Sequence, residues 1–530
     1  MKGAGAWRRA LLAAGLAVGL GAAVAAAGPP AAGAAGEEGR KVTTKKPVAV
    51  KEGGAIAMVL LPAPSSPLVT IRIQFRTGAI DDPEDLYGLG AVTALTIGEG
   101  GTKELTRRQV IDRLYPMAAA LTVQPDREVT TFIGQVHRDH AAEFYRVLTG
   151  LLLTPRFDEN DFRRSRDMLI ASIETGLRGT DDEELGKEAL NAVLYQGHPY
   201  GRTVMGTVQG LRTIALEDVK THWARHYTRG NLLVGLAGAY GSGLPAAIGE
   251  DFRTLPSGAM SRVALPPPPP IDGIELYMVE KDTPTAAISI GAPLPLTRAD
   301  RDFYALMVAN SWLGEHRTFN GRLMNVMRAE RGLNYGDYSY IETFTQDGGS
   351  TFPLTNTPRR QQAFGIWIRP VARANAAFAL RQAVRELRHL VEHGLTKEQF
   401  ETTRTFLLNY SRLWTQSLSR RLGAMMDARF YGMDPFAERL QEELPKLTVE
   451  EVNAVVKMYL DPARLRVTIV ATGARGLVQE LVSTTPTPIT YQTPTTDAVL
   501  LAEDREIEVF ALPINQGQVR IYPASTMFEE

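Results

Sequence analysis

Residues Tyr87–Thr102, YGLGAVTALTIGEGGT, decide how the rest of the chain is read. Leu86, Leu89, Val92 and Leu95 recur at every third position, which predicts a helix, and Gly98, Gly100 and Gly101 stop it. Upstream lie an apolar strand, Leu68 to Phe75, and an acidic turn, TGAIDDPED, at 77–85.

The order strand, glycine, acidic turn, Gly-Leu, helix, Gly-Gly-Thr resembles the first domain of the M16 (insulinase/pitrilysin) zinc peptidases. In active members of that family this helix carries His-x-x-Glu-His. Two histidines at i and i+4 bind zinc from one helix face, and the glutamate activates the metal-bound water. On that frame the histidine positions fall on Ala91 and Leu95 and the glutamate position on Ala94. The family's third ligand is a glutamate roughly 77 residues further on, which lands near Ser172, with Glu174 two residues away on another helix face. Methyl and isobutyl groups have no lone pair for a metal. The resemblance therefore implies an M16 fold from which the zinc site is gone, with no metal ligand and no catalytic residue in this chain.

The chain has 530 residues, 44% hydrophobic and 22% charged, with a net charge of −1. This composition predicts two or more globular domains and gives no signature of disorder or of nucleic-acid binding. Cysteine is absent, so neither disulfides nor thiolate metal sites can form. Residues 1–27 have the pattern of a signal peptide: Lys2, Arg8 and Arg9, then the run Ala10–Ala26, then the small residues Ala25–Ala27. Residues 28–46 are expected to form a flexible lead-in, and a periplasmic or secreted protein is expected.

A β-hairpin is expected across 47–63, paired strands at 119–124 and 128–136, and helices at 107–115, 141–153, 158–173 and 218–227. LPPPPP, at 265–270, is a stiff spacer, and beyond it the pattern recurs. FDENDFRRSRDML (157–169) is answered by LTKEQFETTRTFL (395–407), Phe162 by Phe400 and Arg166 by Arg404, and ALEDV (215–219) by TVEEV (448–452). An offset of about 235 residues implies duplication. The expected organisation is a first M16-like domain at 47–258, a linker at 259–271 and a second domain at 272–530. The fold class is α+β, each domain an antiparallel sheet with helices on one face. Strand-like runs at 507–512 and 518–522 are expected to finish the second domain.

HLVEH, residues 389–393, matches the zinc motif formally. It ends a helix just before Gly394, where imidazoles suit the helix dipole, and a count of about 77 residues reaches Val470 rather than a third ligand. His222 and His226 are also at i and i+4, but Trp223 and Tyr227 around them favour packing. His198 in GHPYG (197–201) is expected to be a structural turn residue.

RAERGLNYG, residues 328–336, also looks like M16. The family's second domain carries an Arg and a Tyr seven residues apart that bind the substrate's backbone carbonyl. Arg328 and Tyr335 match in identity and spacing, with the helix expected to end at Arg331-Gly332 and Tyr335 to begin a strand. LGEHRTFNGRLM (313–324) keeps Gly314 and lacks the family's glycine cluster.

The resemblance thus implies a non-catalytic subunit of an exported M16 metallopeptidase complex, with Arg328 and Tyr335 as substrate-binding residues. The implied partner is an M16 chain with an intact His-x-x-Glu-His motif and its own zinc; the implied ligand is a peptide added to a sheet edge. Two other readings stay open: a structural assembly module, and an independent peptidase acting through HLVEH.

Overall fold

The computed structural model describes residues 56–258, 260, 262–346 and 350–530. The signal-like segment, the lead-in and the first half of the expected hairpin at 47–63 lie outside them. What is described of that hairpin, β1 (Ala57–Pro62), pairs elsewhere.

The first sheet adds β2 (Leu68–Phe75), β3 (Ala120–Pro125), β4 (Thr130–His137) and β5 (Leu232–Gly238), in the order β1-β5-β2-β4-β3. The second contains β6 (Ile274–Glu280), β7 (Thr285–Leu294), β8 (Asp337–Tyr340), β9 (Gln362–Ala372), β10 (Leu465–Ala471) and β11 (Ile514–Pro523), in the order β11-β6-β10-β7-β9-β8. Without β11 the two orders are the same, strand for strand, as a duplication requires. The sheets are mixed rather than purely antiparallel: β1 runs parallel to β5, β6 to β10, and β11 to β6. The strands of each parallel pair lie far apart in the chain, with other strands and helices between them, since a tight turn can only return a strand antiparallel.

The helices follow their caps. Thr106 and Gln109 form a reciprocal capping box at the start of Arg107–Leu114. Asp158 caps Glu159–Ala171, which widens into a π-helical stretch, Ser172–Thr180, instead of ending at Ile173. In the tail, residues 507–512 are not a strand: the helix Ala498–Ile507 ends there and β11 follows.

Helices cover both faces of each sheet, not one. In the first, Val234 and Leu236 point into the main core, whereas Leu233 and Ala237 meet Leu422 and Met426 of the helix Leu418–Tyr431, from the second half. In the second, Val467 and Ile469 face their own core, while Val470, Ala287 and Val279 meet Leu185 and Ala189 of the helix Asp182–Leu194, from the first half. The exchange is reciprocal. It explains why β5 and β10 are buried at every position, Arg466 and Thr468 included: both faces of each strand are covered. No helix among the described residues is long and apolar enough to cross a membrane.

Candidate functional site

The helix expected within Tyr87–Thr102 spans Leu89–Gly98, and all ten of its residues are buried. The acidic turn anchors it. The Asp82 carboxylate accepts from the backbone N–H groups of Gly88 and Gly90, at 2.8 Å each, and burial pushes its pKa up to about 7. Gly88 holds a left-handed φ of 102°, and a Cβ on Gly98 would strike Val123 and Phe132.

Ala91, Ala94 and Leu95 are 4%, 0% and 5% exposed and pack in one core with Ile71, Val92 and Phe132. The Ser172 hydroxyl donates to the Met168 carbonyl at 2.9 Å, and exposed Glu174 pairs with Arg212 at 2.9 Å. Zinc does not fit here. The positions that would hold it offer hydrocarbon and one hydroxyl already turned back onto its own helix, and no site of three or more His, Asp or Glu side chains that could hold a metal occurs among the described residues.

The two histidine pairs and His198 belong to no metal-holding group among the described residues. His389 and His393 lie exposed in the last turn of Ala376–His393, their rings stacked at 4.4 Å, ahead of Gly394 with φ 70°. His222 and His226 are buried and stacked at 4.5 Å; burial lowers His222 to about 3. His198 accepts from the Tyr200 N–H at 2.9 Å within the turn.

Arg328 and Tyr335 do come together. Arg328 lies in a π-helical turn, Met324–Ala329, which ends before Arg331-Gly332. Gly332, at φ 62°, then lets the chain reverse. Asn334 fixes the reversal: its amide donates to Asp337 at 2.7 Å and to the Arg369 carbonyl at 2.8 Å, and its oxygen accepts from Gly336 N–H at 2.9 Å. Tyr335 therefore stands just ahead of β8 rather than in it, 74% exposed. Arg328 Nη1 donates to the Tyr335 carbonyl at 2.8 Å, and its guanidinium lies over the Tyr335 ring at 5.1 Å.

Sequence reasoning passed over two neighbours. The Arg328 guanidinium also lies over Phe319 at 5.3 Å, and Phe319 is 66% exposed. Beneath them Asp337 is fully buried, its carboxyl pushed up to about 8 by desolvation. The signal for Phe319 was available: it is the one aromatic in the polar run HRTFNGR. Arg331, two positions beyond Ala329, is structural, buried against Asp504 at 2.8 Å and Glu503 at 2.7 Å.

Two models of one family match successive stretches of the chain: Insulinase (Peptidase family M16) residues 57–208, and Peptidase M16 inactive domain residues 213–407. The chain belongs to the M16 family. Among curated M16 relatives, a protein named "Non-peptidase homolog YmxG", from Helicobacter pylori, is 23% identical over 407 residues, 76% of this chain and 89% of that protein. A probable mitochondrial-processing peptidase subunit beta of Arabidopsis thaliana is 27% identical over 217 residues, 40% of each. Of solved structures, the peptidase M16 inactive domain from Pseudomonas fluorescens superposes with a TM-score of 0.69 at 19% identity, covering 81% of this chain and 98% of that one. At that identity the likeness concerns the fold. With the helix 89–98 filled by hydrocarbon, this chain is a non-catalytic M16 member.

Proposed function

We propose that the chain is the non-catalytic subunit of an exported M16 peptidase complex. Its partner is an M16 chain that keeps His-x-x-Glu-His and holds the zinc. This subunit closes the peptide chamber and presents Arg328 and Tyr335 in trans to a backbone carbonyl of the peptide. The signal-like residues 1–27 support export to a periplasmic or extracellular compartment.

One contrast carries this reading. The ligand positions are hydrocarbon and buried, whereas Arg328 and Tyr335 keep their identities, adjoin each other and face solvent. A buried catalytic relic needs no outward phenol, and a guanidinium beside a phenol supplies N–H and O–H donors to an oxygen gaining negative charge. Edge strand β8 begins two residues after Tyr335, so a peptide held there has main-chain partners within reach.

Arg328→Ala and Tyr335→Phe are each expected to lower kcat/KM of the mixed complex about tenfold or more, while gel filtration still shows assembly. Unchanged turnover in both variants would remove the role in trans.

A further inference from the structure

We propose that Arg317, Phe319 and Arg328 form, beside Tyr335, a recognition site for a carboxylate on the bound peptide, supplied by an acidic side chain or by the chain terminus. This rests on the preceding reading for where the peptide lies, and names which peptides are preferred.

Three observations lead to it. First, Arg328 has donors to spare. Of its five N–H groups one is given to the Tyr335 carbonyl, and no carboxylate pairs with it among the described residues. Its guanidinium lies over two exposed rings, Phe319 and Tyr335. Aromatic contact at the flat face sheds water there and leaves the in-plane N–H edge for a bidentate acceptor, the geometry a carboxylate matches.

Second, Arg317 lies two residues from Phe319 in unusual backbone. It adopts φ 56°, a left-handed conformation uncommon for a long side chain, in the short loop between the helix Arg301–Gly314 and the π-helical turn. It too has no carboxylate partner among the described residues.

Third, the local charge is unbalanced. Arg317 lies two residues before Phe319, the ring that the Arg328 guanidinium covers, so its charge stays close to that ring. The acids nearby offset the two guanidiniums only in part: Asp337 is fully buried and pushed up to about 8, half-buried Glu315 is pushed up to about 7, and Glu183 is already paired with Arg369 at 3.1 Å. A guanidinium with free donors set over two exposed aromatic rings, with Arg317 close by in the chain, suits an anionic group flanked by apolar atoms.

The full chain should be titrated calorimetrically with three decapeptides of alanine and serine, all acetylated. One carries a central Glu and an amidated end, one a central Gln and an amidated end, and one a central Gln and a free C-terminal carboxylate. The Glu peptide, the free-end peptide or both are expected to bind at least tenfold tighter than the neutral one, and which of them does so identifies the source of the carboxylate. That preference is expected to vanish in Arg328→Gln, to shrink in Arg317→Gln, and to weaken with salt. Phe319→Ala is expected to weaken the carboxylate peptides. Equal binding of all three, no binding, or a preference that survives Arg328→Gln overturns the proposal. A lost preference in a complex whose turnover still depends on Arg328 sinks this inference alone. A preserved preference with turnover indifferent to Arg328 sinks only the role in trans.

Discussion

At Asp337 the polarity of a single carboxyl is set by what surrounds it. It is fully buried, its Oδ2 has no hydrogen-bond partner, and the folded chain keeps its proton up to about pH 8. Unfolded, the same group titrates near 3.9. Its folded pKa is raised, so its contribution to stability is whole below about pH 4 and is lost as pH climbs towards 8. His316 works in the opposite sense. Burial lowers it to about 3, so its contribution is whole above about pH 6.5 and fades as pH falls. Stability should therefore decline on both sides of a maximum. Asp337→Asn should flatten the alkaline side, raising stability at pH 8 by about 1–2 kcal/mol, readable by denaturant titration at pH 5, 6.5 and 8. An unaltered alkaline slope would show that Asp337 is ionised in the native protein. None of this was legible in the string NYGDY, because burial of that aspartate depends on β9 and on Arg369 beside it.

The element that most departs from a plain duplication is the C-terminal tail. β11 extends the second sheet beyond β6, parallel to it, and covers an edge whose counterpart at β1 carries no further strand among the described residues. The chain then crosses to the first half. The carbonyls of Phe528 and Glu529 accept from the N–H groups of Val208 and Gln209, at 3.0 and 2.9 Å, and so satisfy two of the unpaired donors that open the helix Val208–Thr213. Arg178 grips the Met527 carbonyl at 2.7 Å and Glu529 at 2.8 Å, and Phe528 packs against the first core. Removing residues 524–530 should speed amide exchange at Val208 and Gln209 while β6 stays protected. Phe528→Ala alone should cost about 1–2 kcal/mol, less than a fully buried phenylalanine, because this one is only half-buried. Exchange at Val208 indifferent to the truncation would mean that the tail docks elsewhere in solution. The sequence marked the tail as strand-forming but misplaced one run: Ile507–Leu512 has strand-like composition, yet the first of these residues closes a helix capped at Asp497.

Across the whole molecule the two halves are tied by more than exchanged helices. Arg359, 1% exposed in the second half, forms a paired contact with Asp126 at the tip of the first sheet, one arm at 2.6 Å. Arg72 on β2 reaches Asn356 and the Ser419 carbonyl, the latter at 2.9 Å, and Arg360 meets Glu128 at 2.9 Å. Arg359, Arg72, Asp126 and Glu128 are buried, so their partners are structurally required: an arginine left there alone pays the full desolvation cost. Asp126→Ala should destabilise the chain by about 3–5 kcal/mol, and far-UV and near-UV signals should still lose structure in one transition. Two separated transitions would show that the halves fold independently. What is legible in the residues is the pattern repeated every half-chain, the helix and its glycine stop, the hydrocarbon at Ala91, Ala94 and Leu95, and the Arg–Tyr spacing. These depend on local periodicity and on side-chain chemistry, which the chain carries wherever it folds. The parallel sheet edges, the helices traded between halves and the exposure of Phe319 and Tyr335 beside Arg328 needed the tertiary structure. They depend on which surfaces meet across hundreds of residues, and short-range patterns hold no record of that.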